Sequence, residues 1–302
     1  MTVAPVDASL RPQLGRATGS LPARPSFGRR YARHRLGVIG AAALVILGLG
    51  ALLAPLIAPF PPNPTLTAKV LAQARQSPSW CHLFGTDELG RDVFTRVLYG
   101  GRMSLTIGLC VALASTALGT AVGAVAGWFG GVVDQLLMRI TDLLMIIPGL
   151  AVLMIAQKGL GGSMTVIIAV LSLLSWHIIA RVVRAEFRRM KALEFVEAAR
   201  ASGARAWRIM AFELLPNTVG VLAVNAALAV GGAILGESAL SFLGFGLTPP
   251  AASWGSMLSQ SKGAVGTRLA YLVYFPGLAI LLTVLAVNFV GNALRDAFDP
   301  AS

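Results

Sequence analysis

Twelve charged side chains, eight Lys or Arg and four Glu, are gathered between Arg181 and Asn217 in the middle of an otherwise apolar sequence. Such a segment offers charge-assisted hydrogen bonds to something outside the membrane. It contains Glu197-Ala198-Ala199-Arg200-Ala201-Ser202-Gly203 and, further on, Leu214-Leu215-Pro216-Asn217. Glu194 through Ala201 is rich in Ala and Glu and predicts a helix, which Gly203 can end by taking a positive φ. Ala204 to Leu215 predicts a second helix, stopped by Pro216. The expected result is a helix-turn-helix lying along the membrane. Small Ala198 and Ala199 allow close approach to a partner groove, while Glu197, Arg200 and Arg205 can fix register. An amphipathic helix anchored to anionic lipid would use the same basic residues.

Other chemistry finds little support. The four lysines, Lys69, Lys158, Lys191 and Lys262, stand in no Gly-x-x-x-x-Gly-Lys-Ser/Thr loop, so ATP binding by that route is excluded. There is no His-Glu-x-x-His and no Gly-x-Ser-x-Gly, which removes the usual signatures of a membrane protease or other hydrolase. His177, beside Trp176, reads as an interfacial or packing residue. Cys81-His82 offers too few ligands for a metal site, and Cys81 and Cys110 fall at different depths, so neither a metal nor a disulfide is expected. Charges inside the apolar runs are nearly absent, which weighs against a proton-coupled transporter or an ion channel.

The elements that must position the charged loop are membrane helices. The chain is 56% hydrophobic and only 13% charged, with a mean hydropathy of +0.73, and its apolar residues fall in runs too long for globular core helices. Leu36 to Phe60 carries no charge and would make about 37 Å of helix, longer than the hydrocarbon core and too long for a cleaved signal peptide. Further spans are expected at Ser104–Trp128, at Leu143–Ala156 with help from Val132–Asp142, at Met164–Ala180, at Thr218–Gly236 and at Tyr271–Asn292. The fold class is therefore all-α, polytopic, with six transmembrane helices. This divides the chain into an N-terminal tail (1–35), a first helix (36–60), an external segment (61–103), a five-helix core (104–292) containing the loop 181–217, and a C-terminal tail (293–302). With both termini inside, the cytoplasmic segments hold about twice as many Lys and Arg as the external ones, as the positive-inside rule requires. The net charge of +12 then reflects topology and attraction to membrane lipid, with no call for nucleic acid. Residues 1 to about 28, with scattered Pro, Gly and Ser, read as a flexible tail.

Two external stretches stand out. Phe84-Gly85-Thr86-Asp87-Glu88-Leu89-Gly90-Arg91-Asp92 predicts a capped turn leading into a helix, with Thr86 or Asp87 as N-cap. Asp87, Arg91 and Asp92 are candidates for contact with an external partner, although a plain structural cap is an equal reading. Leu240 to Gly246, followed by Pro249-Pro250, is too short and too broken to span and is expected to dip into the outer leaflet. In the fifth span Gly231, Gly232 and Gly236 lie among alanines, and they suit either close packing against a second subunit or space for a solute. Gly231, Gly232 and Glu237 are the pathway candidates.

Several segments carry a family resemblance. The Glu-Ala-Ala loop with Gly203 and Leu215-Pro216, the run Leu83 to Gly100, Leu240-Ser241-Phe242-Leu243-Gly244-Phe245-Gly246 with Ser253-Trp254-Gly255, and Gly291-Asn292-Ala293-Leu294-Arg295-Asp296-Ala297-Phe298-Asp299-Pro300 together resemble the permeases of bacterial ABC importers. The branch is that of dipeptide, oligopeptide and nickel importers, and the likeness, in order from about Arg29 to Pro300, is to the second permease subunit. One departure is Glu213, where many members carry His. The resemblance implies an inner-membrane subunit that pairs with a homologous permease, two cytoplasmic ATPase domains and an external solute-binding protein. It implies peptide import, with ATP and Mg used by the ATPases and no cofactor or covalent chemistry on this chain. Nickel or glutathione import is the alternative within the branch, and a membrane scaffold or sensor is the alternative outside it.

Overall fold

The computed structural model describes residues 27–248 and 250–298. The expected flexible tail up to residue 26, Pro249 and the terminal Asp299-Pro300 fall outside these residues.

The chain enters through α1 (Phe27–Arg33) and α2 (Arg35–Leu52), whose start is capped by His34, with Nδ1 accepting from the Gly37 N–H at 3.1 Å. The first apolar run does not stay helical to Phe60. Pro55 cannot donate to the ladder, so the helix breaks at Leu53, resumes as the short α3 (Ala54–Ile57) and becomes extended at Ala58. After α4 (Ala68–Leu71) comes the longest unbroken α-helix among the described residues, α5 (Val93–Phe129). It starts well before the uncharged run at Ser104 and, at about 55 Å, exceeds the hydrocarbon thickness, so its first turns stand outside the bilayer.

The third apolar stretch is two helices, α6 (Gly131–Ile146) and α7 (Gly149–Leu160), bent by 81° about Ile147-Pro148. Pro148 forces Ile147 into extended backbone, which ends α6. Next come α8 (Met164–Met190), α9 (Glu194–Ala201), α10 (Ala206–Arg208) and α11 (Leu215–Leu240). The last elements are α12 (Trp254–Gln260) and α13 (Tyr271–Phe298), which runs past Asn292. Among the described residues five helices are long and apolar enough to cross a membrane, or six with the bent pair taken as one span. The exposed Leu, Ile and Val side chains on α2, α6 and α13 face lipid in such an arrangement.

Pro216 corrects one expectation. It does not stop a helix but sits in the first turn of α11, where its missing N–H costs little. A π-helical stretch, Ile209–Leu214, joins α10 to α11, so the second half of the charged loop rises directly into the fifth span and does not lie along the membrane.

The bundle centres on α5 against α8, with α11 packed on both α5 and α13, and α2 on α13. On α5, Gly119, Gly123 and Gly127 form a row spaced four residues apart. A Cβ at Gly119 would lie 2.6 Å from the Trp176 carbonyl oxygen, and one at Gly127 2.7 Å from the Phe187 Cβ. The helices approach this closely only because the row has no side chains. The small residues of the fifth span are looser within the chain: a Cβ at Gly231 would be 3.8 Å from its nearest neighbour, and one at Gly232 would meet nothing.

Candidate functional site

The charged loop begins where α8 outruns its apolar segment. On that extension Arg181 pairs with Asp142 and Arg184 with Asp134, both on α6, and the Arg184 Nη2 donates to Asp134 at 2.6 Å. Arg188 adds a contact to Asp134 at 3.7 Å. This ladder clamps α6, from Asp134 to Asp142, to the C-terminal part of α8. It escaped the sequence reading because neither acid stands near its Arg partners along the chain.

Helix α9 follows, with Glu194 and Glu197 in its first turn and Arg200 in its last, the arrangement that complements the helix dipole. Val196 is its anchor, 0% exposed against Phe187, Met190, Ile209 and Leu214. Gly203 has φ +80°. Its N–H donates to the Arg200 carbonyl at 2.9 Å and the Ala204 N–H to the Ala199 carbonyl at 3.1 Å, which together make a Schellman motif. Opposite Val196, Glu194, Glu197, Ala198, Gly203 and Arg205 are exposed, as are Arg200 and Pro216, while Ala199 and Leu215 are half-buried. The anchored side thus fixes an outward face of small and charged residues. Arg200 is already engaged: its guanidinium lies 4.8 Å from the centre of the Trp128 ring, and Lys191 donates to the Trp128 carbonyl. Trp128, at the end of α5, therefore holds the loop to the bundle, a role that distance in sequence conceals.

The other end of α5 carries the segment expected to be an external cap. Neither Thr86 nor Asp87 caps this helix; Asp92 does, its Oδ2 accepting from the Thr95 N–H at 2.8 Å. Asp92 is 3% exposed and its Oδ1 lies 2.9 Å from His82 Nδ1, so it serves the helix start and is not available to an external partner. Asp87 instead closes the turn before it, accepting from the N–H groups of Leu89 and Arg91 at 2.9 Å and from Arg91 Nε at 2.6 Å. Thr86 is fully buried, and the Tyr271 hydroxyl lies 2.8 Å from the carbonyl oxygens of both Gln76 and Thr86.

Glu237, one of the pathway candidates, is enclosed by the chain itself in this structure. It is 0% exposed, and its Oε1 accepts from Ser241 at 2.7 Å and Ser253 at 2.6 Å, with Ser104 at 3.4 Å from Oε2. Ser253 is the N-cap of α12, and Trp254, buried behind it, donates its Nε1 to the Val97 carbonyl at 2.8 Å. The stretch Ser241–Phe245 continues α11 as a wide turn ending at Gly244, with φ +93°, and α12 folds back against α5 and α11. Gly231 is buried and Gly232 exposed. A separate apolar cavity of about 840 Å³ opens between α5, α8 and the start of α11, faced by Ala121, Phe129, Phe187, Trp207, Met210 and Leu222.

Loop and cap thus occupy opposite ends of the bundle. The described ends of the chain share the loop's end: Phe298 packs on Phe27, ring centres 4.7 Å apart, and closes over Gly220 near the start of α11.

Residues 119–302 match the family described as binding-protein-dependent transport system inner membrane component, and residues 26–78 match the N-terminal TM domain of oligopeptide transport permease C. A putative peptide permease protein of Brucella suis biovar 1 is 40% identical over 272 residues, covering 90% of this chain and 89% of its own. The dipeptide transport system permease protein DppC of Bacillus subtilis is 38% identical over 272 residues, covering 90% of this chain and 84% of its own. A putative peptide transport system permease protein of Brucella abortus biovar 1 is 40% identical over 289 residues, covering 96% and 94%. With a family match over more than half its length and relatives aligned nearly end to end, the chain belongs to the inner membrane components of binding-protein-dependent transport systems.

Proposed function

We propose that this chain is a permease subunit of an ATP-driven peptide importer, contributing part of the translocation pathway and receiving the force of ATP hydrolysis through Glu194–Pro216. The relatives' names support peptide as cargo. The observation that carries the coupling role is the outward face of α9, with Glu197 and Ala198 exposed on a helix whose opposite side is pinned by Val196 and whose end is closed by Gly203. Such a face moves with the bundle, so a push on it is transmitted to α8 and α11 and does not dissipate in a floppy loop.

In this reading two cytoplasmic ATPase domains grip the α9 face. A homologous permease covers the apolar cavity beside α5, and the solute-binding protein docks on the opposite end. Rigid-body rocking of the paired permeases then switches access from outside to inside. The chain itself binds no nucleotide and performs no covalent step; ATP and Mg act in the partner subunits. The termini and Glu194–Pro216 lie in the cytoplasm, and Cys81 lies outside.

Glu197→Lys tests the coupling. A reversed charge on a close helix contact should release the ATPases from the detergent-solubilised complex or uncouple hydrolysis from peptide uptake. If α9 only anchors the chain to lipid, the added basic residue strengthens membrane attachment by about 1 kcal/mol and leaves the ATPases bound. Co-purification and uptake both equal to wild type would remove the coupling role.

A further inference from the structure

At the outer end of the bundle a cavity of about 380 Å³ lies between the start of α5 and α12. Arg91, Arg96 and Gln260 are among the residues that line it. Arg96 is 3% exposed, and its Nη1 has no hydrogen-bond partner. The nearest carboxylate oxygen, Asp87 Oδ2, stands 3.9 Å away and is already taken by Arg91. Both guanidiniums turn their remaining Nη2 groups onto one neutral acceptor, Gln260 Oε1, at 3.2 Å from Arg91 and 3.1 Å from Arg96.

The local charges do not balance. Glu88, on the rim, pairs with Arg75 at 3.3 Å, and Asp92 is enclosed with His82. That leaves Asp87 as the single carboxylate for two guanidiniums, one of them buried. A buried cation with an unfilled donor is costly unless an anion completes it, and a guanidinium pair is shaped to hold a carboxylate. The surplus extends over the whole outer face. The segments 61–103, 157–163 and 237–270 hold eight Lys or Arg against three carboxylates beside the enclosed Glu237.

We propose that this cavity is a docking socket for one acidic side chain of the external solute-binding protein, which displaces the Gln260 amide and bridges Arg91 and Arg96. The inference rests on the importer reading above and names the contact by which the binding protein is held. A protein side chain fits the site better than the cargo does. Two fixed guanidiniums would retain a peptide carboxylate that a pathway must release, whereas a docking contact uses the same grip to set register. The positive outer face would also steer an acidic surface towards the socket.

The experiment measures affinity between the complete importer in lipid nanodiscs and its own solute-binding protein, at low and high salt, for wild type, Arg96→Gln and Gln260→Glu. Gln260→Glu supplies the missing carboxylate from within and should fold, which is checked by extraction with the ATPases at wild-type yield. It should nevertheless weaken binding-protein docking about tenfold and flatten the salt dependence. Arg96→Gln should weaken docking similarly. Wild-type affinity and salt dependence in a well-assembled Gln260→Glu complex would overturn the socket. So would normal docking combined with a lost preference for peptides with a free over an amidated C-terminus, because that result assigns the carboxylate to the cargo. Failure of the importer reading looks different: the wild-type complex itself would neither bind the binding protein nor take up peptide.

Discussion

A carboxylate inside a membrane bundle survives only where the protein supplies what water would, and Glu237 meets that condition with hydroxyls. Ser241 and Ser253 donate to one oxygen and Ser104 approaches the other, so one side chain ties α5, α11, the wide turn after it and α12 together. Glu237→Ala would leave the Ser241 hydroxyl without a partner beside a void, while those of Ser104 and Ser253 would lose their acceptor and keep only the N–H groups of Trp254 and Ser256. Each buried polar group left without a partner costs about 1–3 kcal/mol, and the cavity adds its own penalty. The purified variant should therefore unfold at a clearly lower temperature and lose the seating of Trp254, read from its fluorescence. Glu237→Gln keeps one acceptor oxygen and should fall between the two. An alanine variant as heat-stable as wild type would show that the serine contacts contribute nothing.

Among the elements, the contact between α5 and α8 matters most, because α8 leads into the charged loop and α5 ends beneath it at Trp128. Gly119, Gly123 and Gly127 let the two helices meet at backbone distance, and the ion pairs from Arg181 and Arg184 to α6 extend the same rigid unit to a third helix. Gly119→Leu places a branched side chain where the Trp176 carbonyl leaves no room, so the helices must separate. Overpacking of this kind costs about 1–3 kcal/mol even in forgiving cores. The expected outcome is a protein that still inserts but shows reduced uptake per ATP hydrolysed, since α9 no longer moves with the bundle. Wild-type coupling in that variant would mean that the close approach is not needed to transmit force. Breaking the Asp134 pair with Asp134→Asn should loosen α6 without moving α9, a milder loss seen as faster amide exchange at the start of α6 and in the C-terminal part of α8.

For the molecule as a whole, the question of which end faces the cytoplasm is one of charge. The loop's end of the bundle holds most of the basic residues, together with both described chain ends, and under the orientation proposed above, which follows the positive-inside rule, that end faces the cytoplasm. In Arg205→Cys, the new thiol should resist an impermeant maleimide added to intact cells and react once the membrane is opened. Cys81, exposed at the cap, should label from outside in the same cells. Labelling of position 205 from outside would invert the topology and, with it, the assignment of ATPase and binding-protein faces.

What could be read without coordinates was whatever depends on neighbours along the chain. The apolar runs announce membrane helices because lipid demands about 20 apolar residues in succession. The spacing from Glu197 to Gly203 announces a capped helix because a Schellman turn is closed within six residues. Expectations failed where the answer depended on a distant partner. A Pro ends one helix or begins the next according to what precedes it, and at Pro216 the π-helical stretch Ile209–Leu214, packed through Ile209 and Leu214 against α5 and α8, made it a beginning. Thr86 and Asp87 have the chemistry to cap α5, but the Thr86 hydroxyl is used by the Gln76 N–H and the Gln73 carbonyl and the Asp87 carboxylate by Leu89 and Arg91, so the cap falls to Asp92, next to Val93. Ser241, four residues along, is the one partner of Glu237 within reach of the sequence; Ser104 and Ser253 are distant, and nothing near Arg96 reveals that it is left one acceptor short. Hydrogen-bond satisfaction is a property of assembled surfaces, and only the packing of α12 against α5 brought those surfaces together.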